Sequence, residues 1–552
     1  MKLPRKRWFW ALLAGLGAAL SFPGFALDLL SWFALIPLFF ALEEGGYARN
    51  FWYGSLAGLA FFGTLLHWLY TLKEWTGPMI LPLYFLLIVY LSLYWGAFGL
   101  LYTLFRQRLG TVELSLAVPA LWVVLEFARA LGRLGFSWGD LGYTLYRRTE
   151  LIQLATLTGT LGLSFSIVWI NFSLYLALKR WDWRPLAGAL LIFVLLFGYG
   201  TAALRSEPEG RELRLALIQP NIPQLVKSDP GGLEALTEKY TALLAQLDLE
   251  RVDLLILPES ILPAHLLQQR EQLEPFRQFA RSSAIYLLFG TLDRRGEKFY
   301  NTAALLSPQA EIIATYDKVQ LVPFSTEYVP LRGQLERLGL KRLIQVVAPV
   351  DLTPGRELSP LESPLGRIAT PICFESTLAH ISRGFIQNGA ELLVTITNDA
   401  WFGRSFGLEQ HFSFGVLRAV ESRRYFVQAA NTGISGIIAP SGRIMTRSEI
   451  EREEIIYATV KLLDGQTLYT RFGDWLAYLS LLYLLAAAIT AGLHRRQPFR
   501  ADSRQALKLG LSLSEESLKA RPRASGASPP LLSRGPRGSR DTDTDSLRPL
   551  WP

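Results

Sequence analysis

A single cysteine, Cys373, stands in 552 residues, so no intramolecular disulfide framework is possible in any compartment. Histidine is almost as scarce. The five, His67, His265, His380, His411 and His494, show no HExxH or comparable spacing, and no metal site is expected. Charged residues make up only 19% of the chain against 50% hydrophobic, where soluble domains carry about 25% charge. Mean hydropathy is +0.23. A wholly soluble enzyme and a disordered chain are both poor descriptions. One domain is too few, because single cores stop growing at roughly 250–300 residues. The net charge of +9 avoids the part that would have to read nucleic acid. Residues 1–205 carry 16 Lys/Arg against 9 Asp/Glu, and residues 497–552 carry 10 against 6, leaving 206–496 near −2. That distribution suits membrane flanks and a tail, and no nucleic-acid partner is expected.

What the chain has in quantity is long apolar runs. They lie at about 8–22, 26–42, 51–71, 79–105, 114–131, 154–178 and 185–204, with an eighth at 475–493. Most approach the roughly 20 residues that cross a hydrocarbon core. The first follows a basic Met1–Arg7, but further runs succeed it at once, so it reads as a membrane helix rather than a cleaved signal. The first two are short or broken by Pro23. If the N-terminus is cytoplasmic, ten Lys/Arg fall on the inside of the first seven spans and five on the outside, which favours that orientation. Seven crossings place residue 205 outside, and the eighth returns the chain to the cytoplasm. Arg129, Arg133, Arg147 and Arg148 stand on the wrong side. Two readings are open: snorkelling at the interface, or a grip on a lipid phosphate. Glu126 and His67 are isolated in the runs and are expected to be interfacial or packed.

Between the seventh and eighth runs the pattern changes to short β-rich stretches. These are Leu213–Ile218, Asp253–Leu257, Ile285–Gly290, Glu311–Tyr316, Arg367–Cys373, Leu392–Ile396 and Tyr425–Ala429. With helical segments at 233–248 and 408–423 they imply an α/β sandwich. The expected division is 1–205, a bundle of about seven helices; 206–466, a soluble domain inserted before the last span; 467–496, the C-terminal span; and 497–552, a disordered tail rich in Arg, Ser, Pro and Gly.

Three groups of residues carry candidate chemistry, each at or just beyond a strand. Glu259 ends Asp253-Leu-Leu-Ile-Leu-Pro-Glu-Ser260. Lys318 enters the apolar loop Lys318-Val-Gln-Leu-Val-Pro-Phe324. Cys373 lies in Pro371-Ile-Cys-Phe-Glu-Ser376. Catalytic groups of α/β sheets gather at such carboxyl edges, although a lone Glu there is usually a cap and a lone Lys a surface pair.

The ordered set is far more specific than any one of its members. Leu-Pro-Glu, Lys-x-x-Leu-Val-Pro-Phe and Cys-Phe-Glu resemble the carbon–nitrogen hydrolase (nitrilase) superfamily. With the spans, and with Leu217-Ile-Gln-Pro-Asn221, Tyr300-Asn301, Asn398-Asp-Ala-Trp-Phe-Gly403, Asn431-Thr-Gly433 and Thr467–Trp475, the chain to about residue 496 resembles the bacterial apolipoprotein N-acyltransferase family. The resemblance implies an αββα sandwich and a Glu259–Lys318–Cys373 triad, with Glu327, Phe374, Glu375 and Asn301 in support and no cofactor. It implies an acyl donor that is a membrane phospholipid, of phosphatidylethanolamine-like or phosphatidylglycerol-like type, and an acceptor that is the α-amine of a diacylated apolipoprotein. It further implies a multi-pass, monomeric protein of the bacterial inner membrane, with its catalytic domain on the periplasmic side and both termini in the cytoplasm. One departure stands out: the family's Pro-Phe-Gly-Glu is Pro323-Phe-Ser-Thr-Glu327 here, which leaves the position of Glu327 open. Two alternatives use the same residues differently: a membrane-tethered amidase that delivers the acyl group to water, and a transporter or scaffold with an inactive outer domain.

Overall fold

A computed structural model describes residues 6–494 apart from 78–79, 133, 206–207, 228–229 and 349; Arg133 and the 497–552 tail lie outside the described residues. Apolar composition without β-branched dominance gives long helices at Tyr47–Leu65, Ile80–Arg106, Thr111–Ala130, Thr160–Arg180 and Arg184–Ala203. Four of them, all but the first, are long and apolar enough to cross a membrane. Arg7–Leu20 is shorter, and the run expected at 26–42 is divided into a 3-10 turn, Asp28–Trp32, and a helix, Ile36–Leu42. Small residues bring helices together, as is common where lipid offers no hydrophobic drive to pack. A Cβ on Gly54 would lie 2.2 Å from the Trp95 carbonyl, and one on Gly99 2.1 Å from that of Asn50, so Tyr47–Leu65 and Ile80–Arg106 pack backbone to backbone.

The domain that follows holds two six-stranded sheets. The first runs in the order β12 (Glu454–Leu462), β1 (Arg211–Gln219), β2 (Leu254–Ile256), β3 (Tyr286–Arg295), β4 (Lys298–Leu306) and β5 (Ile312–Asp317). The second runs β11 (Ile444–Arg447), β10 (Gly436–Ile438), β9 (Phe426–Ala430), β8 (Leu392–Thr397), β7 (Gly366–Ala369) and β6 (Leu361–Ser363). Alternation across the pleat sorts the side chains into layers. Leu215, Leu217, Leu254 and Ile256 join a core with Ile368, Val394 and Ile396 of the other sheet. Ala216, Ile218, Leu255 and Leu257 turn the opposite way, onto the helices Leu233–Leu244 and Arg270–Ser283. The helices Ala379–Gln387, through Ile381 and Phe385, and Phe406–Ser422, through Phe412, Val416 and Val420, pack with the second sheet: a Cβ on Gly415 would lie 2.4 Å from the Phe426 ring and one on Gly436 3.0 Å from the Phe412 ring. The result is the αββα arrangement.

Phe406–Ser422 also meets the N-terminal apolar part of the chain. Gln410 Oε1 accepts from Trp68 Nε1 at 3.0 Å and Trp138 Nε1 at 2.7 Å, and Glu421 accepts from the Thr160 backbone at 3.0 Å. The arginines expected at the interface have other partners. Arg129 is buried and pairs with Asp140 at 2.5 Å, so it neither snorkels nor offers itself to a phosphate. Arg147 pairs with Glu409 at 2.8 Å and Arg148 with Asp28 at 2.6 Å. Glu126 is packed rather than interfacial, accepting from Trp122 Nε1 at 2.8 Å and Leu141 N at 2.9 Å. A carboxyl group buried among apolar helices is tolerated only with such partners.

Candidate active site

Glu259 stands three residues beyond β2, where Leu257 N still bonds Leu288 O and the chain then turns away. The turn is tight: Ser260 has φ +49, and a Cβ on Gly290 of β3 would lie 2.7 Å from Glu259 Cα. Glycine at 290 is what lets the backbone approach. The residue is 7% exposed. Its Oε1 accepts from Asn301 Nδ2 at 2.7 Å and its Oε2 from the Asn398 backbone at 2.9 Å.

Lys318 follows β5 directly and is 1% exposed. Its Nζ lies 2.5 Å from Glu327 Oε1 and 3.8 Å from Glu259 Oε1. Burial alone would pull the ammonium down, but the charges of Glu327, Glu259 and Cys373 outweigh it and hold it well above its ordinary pKa. The departure around Ser325 leaves this contact intact. Phe324 takes φ +56, Ser325 Oγ donates to Val322 O at 2.7 Å and accepts from Glu327 N at 3.1 Å, and Val322 N donates to Glu327 Oε2 at 2.7 Å. A left-handed phenylalanine and a serine side chain thus do what a glycine turn would do.

Cys373 is not at the end of a strand. β7 stops at Ala369, Ile372 makes one bridge to Ile396, and Cys373, with φ +52, begins the 3-10 turn Cys373–Thr377. A left-handed cysteine is strained by about 1 kcal/mol, and its φ lies outside the extended region that a continuing strand needs. Burial, then the Glu259 charge, raises the thiol well above its ordinary pKa, with Lys318 acting in the opposite sense. Phe374 is buried beside it. Glu375, fully buried, does not reach the lysine ammonium. It accepts from Val319 N at 2.7 Å, Gln320 N at 2.9 Å and Tyr316 Oη at 2.8 Å through one oxygen, and from Ile372 N at 2.8 Å through the other. It therefore ties the lysine loop to the cysteine turn, and burial raises its pKa to about 7. Asn301 on β4 spans Glu259 and Glu327, the latter at 3.4 Å. All seven residues expected from the sequence converge on one locus.

Three further residues stand at the site, of which only Asp399 was anticipated, as a member of the Asn398–Gly403 motif. Lys227 is buried and donates to the Glu259 carbonyl at 2.7 Å; burial lowers its pKa to about 8. Asp399 and His411 form a buried pair below Cys373. Lys227 sits in a four-residue helix without periodicity, and His411 lies twelve positions beyond Asp399, outside its motif, so no local pattern announces Lys227 or the pairing. Asn398 and Asn431, seen as motif members, bond to each other at 2.9 Å.

The four-layered fold, with a glutamate and a lysine just beyond its strands and a cysteine on the 3-10 turn after β7, defines a carbon–nitrogen hydrolase domain, joined here to apolar helices. Residues 214–469 match the family model for carbon-nitrogen hydrolase, and residues 14–174 match that for the apolipoprotein N-acyltransferase N-terminal domain. The chain is similar to the apolipoprotein N-acyltransferase of Geobacter metallireducens, 35% identical over 512 residues that cover 90% of this chain and 96% of the relative. It is 32% identical to that of Gloeobacter violaceus, covering 90% and 97%, and 31% identical to that of Thermotoga maritima, covering 86% and 92%. The chain belongs to the apolipoprotein N-acyltransferase family.

Proposed function

We propose that this protein transfers an acyl chain from a membrane phospholipid, by way of a thioester on Cys373, to the α-amine of the diacylglyceryl-modified N-terminal cysteine of an apolipoprotein. The observation that carries the reading is the buried Glu259–Asn301–Glu327–Lys318 cluster facing a thiol on a left-handed turn, in a chain with family relatives along nine-tenths of its length.

A thiol raised by burial needs a base, and Glu259 is that base. It takes the Sγ proton as sulfur bonds to the ester carbonyl carbon. The oxyanion is held by Lys318 Nζ and the Phe374 backbone N–H. When the C–O bond breaks, the proton on Glu259 passes to the leaving oxygen, and a lysophospholipid departs. In the second half, the acceptor amine bonds to the thioester carbon, its proton passes to Glu259, and as the C–S bond breaks that proton passes on to Sγ, returning the thiol and the Glu259 carboxylate. Amide formation from a thioester is downhill and consumes nothing else. Glu327 fixes Lys318, Asn301 fixes both glutamates, and Glu375 holds the two loops in register.

Residues 1–205 and 467–496 are read as eight spans with both termini cytoplasmic, 206–466 as the domain outside a bacterial inner membrane, and 497–552 as a tail. Four helices of spanning length and the Lys/Arg distribution support this. The arrangement has a physical reason. Each buried methylene adds about 0.8 kcal/mol to membrane attachment, so a triad at the bilayer surface avoids drawing a whole chain into water. The preferred donor headgroup is read as phosphatidylethanolamine-like or phosphatidylglycerol-like, and the protein as a monomer.

The test is transfer in detergent. Purified protein, phospholipid and a diacylated lipopeptide should yield triacylated peptide, and a lipopeptide with a blocked amine should yield none. Free fatty acid as the dominant product, regardless of peptide, would favour the amidase reading instead.

A further inference from the structure

Beneath the cysteine turn lies a buried pair that the reaction above leaves unused. Asp399 opens the turn Asp399–Phe402 after β8, and His411 sits in Phe406–Ser422. Each is 1% exposed. His411 Nδ1 is 2.9 Å from Asp399 Oδ1, while Nε2 is 3.0 Å from Ser376 Oγ and 3.3 Å from the Cys373 carbonyl oxygen. Ser376 Oγ also stands 2.8 Å from the Cys373 carbonyl, and with its one hydrogen given to that oxygen it turns a lone pair towards the ring. Nε2 then faces two acceptors and Nδ1 a carboxylate. Only the imidazolium donates in both directions. Its raised pKa agrees: burial opposes the charge, but Asp399 and the Cys373 carbonyl outweigh burial. The Trp138 ring stacks on the imidazole with centroids 6.1 Å apart, which helps to close that face to water.

The Cys373 carbonyl and the Phe374 N–H belong to one peptide group. A cation donating to the oxygen draws electron density through the amide and makes the N–H a stronger donor, as in any polarised hydrogen-bond chain. We propose that His411, kept as an imidazolium by Asp399, is a positioning residue for the oxyanion donor: it fixes and polarises the Cys373–Phe374 peptide so that the Phe374 N–H stabilises the tetrahedral intermediate on Cys373. The inference rests on the acyl-transfer reading and extends it to a pair with no direct contact with substrate.

The test compares two reactions of the same thiol in the full-length, detergent-purified protein. Thioester formation from phospholipid passes through an oxyanion; alkylation by iodoacetamide does not. His411→Gln and Asp399→Asn should each slow thioester formation 10- to 100-fold and change alkylation less than threefold when the rate is taken at the high-pH plateau, where the thiol is fully ionised, because the Asp399 charge also bears on the thiol. Equal losses in both reactions would make the pair a plain scaffold for the thiol and overturn the proposal, as would unchanged thioester formation. A parent protein that forms no thioester at all would instead overturn the acyl-transfer reading. Independently of any variant, ¹⁵N-histidine labelling of the parent should show both His411 ring nitrogens protonated at pH 7. A neutral ring there would contradict the inference even if neither variant folds.

Discussion

Lys318 lies closer to Glu327 than to Glu259, 2.5 Å against 3.8 Å. Glu327 is thus the lysine's first partner, and Glu259 keeps neutral donors, Asn301 and the Asn398 backbone, on its two oxygens. This division leaves Glu259 able to accept a proton. In Glu327→Gln, Lys318 should turn to Glu259 and block it. Thioester formation should fall at least 100-fold, and breaking the buried pair should cost about 3 kcal/mol. Single-turnover loading and denaturant unfolding measure both, and a variant that loads at the parent rate would remove Glu327 from the site.

Glu259→Gln should separate the base from its field. Loading at neutral pH should drop by about 10²–10⁴, the usual worth of a positioned base. The thiol should move the other way. Because the Glu259 charge is one of the causes that raise Cys373, its removal favours the thiolate, and the pH midpoint of iodoacetamide alkylation should shift lower than in the parent. A midpoint that rises would mean that the carboxylate does not bear on the sulfur.

Lys227 gives a stability signature with a definite sign. Its pKa is lowered by burial to about 8, below the ordinary value of about 10.4. Between those values the unfolded chain binds more protons, so its contribution to stability rises with pH across about 8 to 10.4 and is level below 8. Lys227→Met should flatten that part of the profile of Tm against pH. It should also slow loading, since the Glu259 carbonyl loses its 2.7 Å donor. An unchanged slope between pH 8 and 10 would contradict the assignment.

Gly290→Ala probes the close approach under the base. A Cβ there meets Glu259 Cα and Ser260 N, both at 2.7 Å, and neither is a flexible tip that gives way. Overpacking of this kind costs about 1–3 kcal/mol. Loading should fall more than tenfold, while the Cys373 alkylation rate changes less than threefold. Parent-like loading would show that Glu259 tolerates displacement.

Much of this was legible in the residues because buried strands leave continuous apolar runs. β1, β2, β8 and β9 were expected within a few residues of where they lie. β4 and β12 were not, because Lys298–Leu306 opens on polar residues and Glu454–Leu462 alternates half-exposed positions, so neither makes an unbroken run. β3 was expected to end at Gly290 but continues to Arg295, held by its pairing with β4 across the Gly296 turn. The expected strand through Cys373 failed for a local reason: φ +52 at a cysteine is a tertiary demand that periodicity cannot signal. Glu259, Lys318 and Cys373 could be picked out as a group because each comes shortly after an apolar strand, β2, β5 and β7. The Asp399–His411 pair and Arg129–Asp140 were not, since each joins segments whose proximity only the fold creates.

The central claim is that Cys373 carries the acyl chain, and the intact mass of the protein after exposure to phospholipid tests it most directly. The parent should gain one acyl mass that hydroxylamine removes, and Cys373→Ser should show no hydroxylamine-sensitive gain. Triacylated lipopeptide formed by Cys373→Ala at the parent rate, or a parent that turns over without ever gaining that mass, would contradict the account.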